Sequence, residues 1–121
     1  MTTLLVALAG LLGASGVGLA AAAAHVTGGE AVRAAAEIAM VHAAAVVALV
    51  AFAGQTVRPA LWRAVAAIML LGAVMFTAAV ASGSLLNFKP IPALAPIGGS
   101  LTIASWLAVT IAALWSARGA R

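Results

Sequence analysis

The chain has 121 residues, 66% of them apolar and only 7% charged, with a formal net charge of +4. Soluble domains carry about 25% charged residues to wet their surface, so this composition excludes a soluble enzyme, and its apolar content excludes a disordered tail. With no Cys anywhere, disulfides, thiolate zinc sites, iron–sulfur clusters and Cys nucleophiles are excluded as well.

The basic balance would point to nucleic acid in a soluble chain. Here the cations are scattered, without a run of five and without interleaved aromatics, so no nucleic-acid partner is expected. A bilayer is spanned by about 20 mostly apolar residues, and four such stretches are expected, over 4–24, 30–53, 61–81 and 97–117. The first holds no charge. Its end, Ala22-Ala23-Ala24, resembles a small-residue cleavage site, but Met1-Thr2-Thr3 lacks the basic opening of a signal peptide, and a retained span is expected. Gly10, Ala14, Gly18 and Ala22 recur every four residues along it. Such a stripe lets membrane helices approach closely, and it is expected to pack within the bundle rather than between copies.

The second span opens at Thr27-Gly28-Gly29-Glu30, which has capping-box spacing with Thr27 as the N-cap. Pro59 suits the first turn of the third span, where its missing N–H costs nothing. From Ser82 to Pro96 the chain holds Gly83, Pro90, Pro92 and Pro96, and this stretch reads as the longest loop. The sum is an all-α membrane protein, a single transmembrane domain over 1–121: four transmembrane helices in an antiparallel bundle with both termini on the same side. That side holds Arg58, Arg63, Arg118 and Arg121, against Arg33 and Lys89 on the other. The excess places both termini in the cytoplasm, with the bacterial inner (plasma) membrane as the expected location. Trp62 and Trp115 fall near the same boundary, where interfacial tryptophans belong.

Ionisable groups inside a membrane are costly and therefore informative. His42 is the deepest, about one turn inside the apolar part of the second span. It has two open readings: a proton relay or ligand, or a lock that hydrogen-bonds a backbone carbonyl, Thr77 or Ser105. Glu30, Arg33 and Glu37 share one side of the helix, as a salt-bridged helix entrance in which Arg33 serves both carboxylates, or as an acidic entrance for protons or cations. Glu37 and His42 are five residues apart, roughly 140° around the helix, so no direct dyad is expected. His25 ends the first span and faces the same side as the start of the second. His25 and His42 are therefore the candidates for haem ligation, and adding Glu37 gives the ligand types of a metal site without its diagnostic spacing; no metal and no resident cofactor are expected. Ser100, Thr102, Ser105 and Thr110 are read as hydrogen-bonding between helices, and Met69, Met75 and Phe76 as packing or lipid contacts. No nucleophile elbow and no phosphate loop occurs, and the chain is expected not to be an enzyme.

Four segments form a wider pattern. Ala24-His25 closes the first span and Val41-His42 stands near the start of the second. The third carries Leu71-Gly72-Ala73-Val74-Met75-Phe76-Thr77, and Pro96-Ile97-Gly98-Gly99 with Trp106 following opens the fourth. In order and spacing these resemble a family of small four-helix membrane proteins, transmembrane protein 256 or domain of unknown function 423. Val41 stands where the family usually has Tyr, Thr77-Ala78-Ala79 replaces a Ser-Gly-Ser run, and the Phe usual before Gly-Ala-His is missing. The resemblance implies the four-helix fold and singles out His25, His42, Pro96, Gly98, Gly99 and Trp106; it implies no reaction. The function expected is that of an accessory or scaffold subunit of a larger membrane complex, surrounded by lipid and by other subunits or copies of itself. The alternatives are a small oligomeric proton, ion or solute transporter using His42 and Glu37, and a haem- or quinone-linked redox subunit.

Overall fold

The computed structural model describes residues 1–25, 29–88 and 91–118, the side chains of 117 and 118 excepted. Four helices follow one another: α1 (Thr2–His25), α2 (Gly29–Ala53), α3 (Pro59–Leu85) and α4 (Leu94–Arg118). Each holds a stretch long and apolar enough to cross a membrane. In hydrocarbon every backbone N–H and C=O must be paired within the chain, and an apolar run of this length can do that only as a helix. The protein is thus an all-α integral membrane protein whose short connections make successive helices antiparallel.

The connections differ in length from expectation. Ser82, Gly83 and Ser84 continue α3, and Pro96 lies inside the first turn of α4. The first four N–H groups of a helix have no partner within it, so a proline there breaks no bond, and the 82–96 loop contracts to 86–93. Its turn uses Asn87 at φ 51°, a left-handed conformation that Asn tolerates; beyond it Phe88 N–H returns to Ser82 O at 3.2 Å. Pro59 does open α3. Before it, the N–H groups of Gly54, Gln55 and Thr56 reach back to the carbonyls of Ala51, Phe52 and Ala53 and close the end of α2. The capping residue expected at Thr27 lies outside the described residues, as do Lys89, Pro90 and Arg121.

Packing is sequential. Helix α1 lies on α2, α2 on α3 and α3 on α4, with a lighter α1–α3 contact. The outer helices bury one narrow stripe each: Leu5, Ala9, Leu12 and Gly16 on α1, and Gly98, Thr102, Ser105 and Ala112 on α4. Helices α2 and α3 bury broader faces around Val46 and Met69, both fully enclosed. The expected small-residue stripe of α1 is not the packed one. Gly10 and Gly18 have open space where a side chain would stand, and Ala14 is exposed. Gly16 instead meets α2, where an added Cβ would come within 3.1 Å of Ala36 O. Lipid tails are as apolar as side chains, so hydrophobicity does not choose between two small stripes; shape does.

Candidate functional site

The one deeply buried imidazole organises the most polar contact in the membrane part. His42 sits on the inner face of α2 and is 4% exposed. Its Nδ1 lies 2.8 Å from Ile38 O, one turn earlier. Its Nε2 accepts the indole N–H of Trp106 at 3.1 Å. A carbonyl only accepts and an indole only donates, so the proton belongs on Nδ1 and the lone pair on Nε2. The two rings meet edge-on, centroids 6.1 Å apart at 65°. Both nitrogens are thereby spent in ties, one within α2 and one across to α4. Of the three partners expected for a lock, the backbone carbonyl is used and Thr77 and Ser105 are not. Thr77 Oγ1 reaches Ala35 O across to α2, a long contact at 3.5 Å. Ser105 Oγ donates to Leu101 O at 2.7 Å.

Ser105 is typical of its helix. Ser100, Thr102 and Thr110 also donate to carbonyls three or four residues back, those of Pro96, Gly99 and Trp106. The expectation of hydrogen bonds between helices fails for all four. A carbonyl of the same helix always stands within reach of a Ser or Thr hydroxyl, and using it asks nothing of a neighbouring helix.

Around Trp106 the glycines decide the geometry. A Cβ on Gly98 would lie 2.5 Å from Phe76 N and 2.7 Å from Gly72 O. A Cβ on Gly72 would lie 2.9 Å from Gly98 O and 3.0 Å from Thr102 N. Helices α3 and α4 thus cross backbone to backbone at a Gly72–Gly98 contact. Gly99 meets only the Phe76 ring, at ordinary distance. Pro96 sits in the first turn of α4, so the segment 96–99 is a packing device that brings Trp106 alongside His42 two turns further on.

The second polar group stands at the start of α2. Arg33 Nε donates to Glu37 Oε1 at 3.2 Å, with both side chains mostly exposed. Glu30 takes no part in that pair, so Arg33 does not serve both carboxylates as expected. All three line a cleft of about 430 Å³ between α1 and α2. Glu37 is exposed and His42 buried, as their angular separation requires. His25 is exposed at the end of α1, and both His42 nitrogens are given to other partners. Among the described residues no three His, Cys, Asp or Glu side chains gather into a metal site.

At the other end of the bundle the tryptophans divide. Trp115 is 56% exposed and carries Arg58 over its ring at 4.3 Å, as an interfacial residue should. Trp62 is 3% exposed and meets Phe52 edge-on at 4.8 Å. It staples α2 to α3 and is not an interfacial anchor, because its place on α3 faces the neighbouring helix. Sequence reasoning names Gly72 only as part of a segment and does not pair Trp106 with His42. Both are polar rings within membrane-spanning helices, but α4 carries Trp115 as well, so residue type alone does not choose the pair.

Four apolar helices and an internally satisfied histidine define a small integral membrane protein. The chain belongs to the family described as a protein of unknown function (DUF423), which matches residues 6–99. That stretch contains His25, His42, Gly72 and the segment 96–99, while Trp106 lies beyond it. Comparisons with curated proteins and with solved structures find no match.

Proposed function

We propose that this protein is a non-enzymatic subunit that packs against other membrane-protein chains, with both termini on the cytoplasmic side of a bacterial inner membrane. The observation that carries the reading is the open face of α1. Gly10 and Gly18 have nothing within 4 Å of an added Cβ, and Ala14 beside them is exposed. In lipid, small-residue faces favour helix association because backbones can approach closely, and α2 takes the other side of α1. The engagement of both His42 nitrogens, and the pairing of exposed Glu37 with Arg33, favour a scaffold over a proton path. The excess of Arg at the α2–α3 turn and the C-terminus supports the orientation.

The test is extraction of the tagged protein in mild detergent, with particle mass measured and co-purifying chains identified. A larger assembly of fixed stoichiometry is expected, and Gly10→Leu or Ala14→Leu is expected to release the partner while leaving the helical signal intact. A lone monomer, or an assembly indifferent to both substitutions, refutes the reading.

A further inference from the structure

A second unfilled surface lies on a different side of α1. Between α1 and α3, away from α2, runs an open groove of about 860 Å³. It extends from Leu5 to Ala22 on α1 and from Ala67 to Leu85 on α3. At 1.5 Å per residue that is roughly 25 Å, most of the ~30 Å hydrocarbon depth of a bilayer. Its two hydroxyls are turned to other uses: Ser15 Oγ donates to Leu12 O at 2.7 Å and Thr77 Oγ1 to Ala35 O. Along its length the groove therefore asks for a purely apolar occupant.

One end is different. Arg63 stands one turn before Ala67, just beyond the residues that line the groove, and the spacing 63, 67, 70, 74, 81 continues their strip of α3. Its Nε is buried and has no hydrogen-bond partner, and Trp62 Nε1 at the same level is a second buried donor without one. No carboxylate side chain can reach them. The chain's two, Glu30 and Glu37, both stand near the start of α2, at the opposite end of the bundle. Arg58 is occupied by the Trp115 ring. Next to this end of the groove α3 thus carries a guanidinium with no Asp or Glu side chain near it, at the level where a bilayer keeps its headgroups.

We propose that the α1–α3 groove is an anionic phospholipid site, with acyl chain along the helices and the headgroup phosphate on Arg63. Phosphate is an acceptor-only anion suited to a guanidinium, and basic pockets at the cytoplasmic ends of transmembrane helices recognise such headgroups. Gly18 and Ala22 border the groove, whereas Gly10 and Ala14 do not line it, so a partner held at Gly10 and Ala14 leaves it open.

The experiment presents the full-length protein in mild detergent with phosphatidylglycerol or phosphatidylcholine of identical acyl chains, and counts bound lipid by native mass spectrometry. A preference of roughly five-fold for phosphatidylglycerol is expected, the worth of one basic residue at an anionic headgroup, and it should fall as salt is raised. Arg63→Gln is expected to abolish the preference, Arg63→Lys to keep most of it, and Ala78→Leu, which narrows the groove, to lower retention of both lipids. Equal retention of the two lipids by the unmutated chain overturns the proposal, as does a preference that survives Arg63→Gln or disappears only in Arg58→Gln. A homodimer that Ala78→Leu dissociates would also overturn it, since the groove would then be an interface between copies.

Discussion

His42 shows how one residue type can be conspicuous in a sequence while its role lies elsewhere in the chain. An imidazole deep in an apolar helix invites a relay or a ligand, yet the lone pair such chemistry would use is held by Trp106, 64 positions away. The energetic consequence follows from that bond. Trp106→Phe keeps the ring but leaves a buried nitrogen without a donor, which costs about 1–2 kcal/mol. His42→Leu strands the indole N–H in turn: Trp106 is 45% exposed, but it stands midway along α4, about 18 Å from either end, where hydrocarbon offers no acceptor. His42→Gln, whose amide oxygen can still accept, is expected to retain most of the stability. Unfolding in mixed micelles followed by helical circular dichroism should place His42→Gln above both other variants. A double-mutant cycle on His42 and Trp106 should give a coupling of roughly 0.6–1.7 kcal/mol, the range found for hydrogen bonds between membrane helices. A coupling near zero would mean that the bond does not hold α4 to α2.

Among elements the decisive contacts are between backbones, and glycine position matters more than glycine number. Gly98→Ala must push apart α3 and α4, because the added carbon meets Phe76 N and Gly72 O rather than a flexible side chain. Overpacking of that kind costs about 1–3 kcal/mol, more than the 0.5–1 kcal/mol, roughly, that alanine gains over glycine in a helix. Gly10→Ala meets nothing within 4 Å and should be neutral or slightly stabilising in the same unfolding measurement. Equal behaviour of the two variants would remove the Gly72–Gly98 crossing as a feature of the fold. The contrast also marks what a sequence of this kind can disclose. Span number, the helical state and the place of Pro59 are legible because bilayer thickness and backbone pairing leave no alternative. The packed stripe of α1 is not, since Gly10-Ala14-Gly18 and Ala9-Gly13-Gly16 are equally small and equally apolar. Nor is the true start of α4, because a first-turn proline and a loop proline look alike.

Across the whole molecule, charge is sorted by end. Both carboxylate side chains and Arg33 belong to the half of α2 nearest its start, while Arg58 and Arg63 flank the start of α3 with no Asp or Glu side chain near them. This asymmetry is what orients the chain, since apolar helix surfaces carry no information about up and down. It also decides which leaflet would supply the headgroup proposed for Arg63. The absence of Cys makes orientation directly measurable, because any introduced thiol is unique. Gln55→Cys reports the α2–α3 turn and Leu86→Cys the α3–α4 connection; both positions are exposed, and Leu86 avoids the left-handed backbone of Asn87. With four spans the two thiols face opposite compartments. A membrane-impermeant maleimide applied to intact cells should label Leu86→Cys at once and Gln55→Cys only after permeabilisation, because the Arg-rich side remains in the cytoplasm. Labelling of both from outside would contradict the four-span topology itself. The reverse pattern would keep the topology, invert the protein, and move the Arg63 end of the groove to the outer leaflet, where the lipid composition available to it is different.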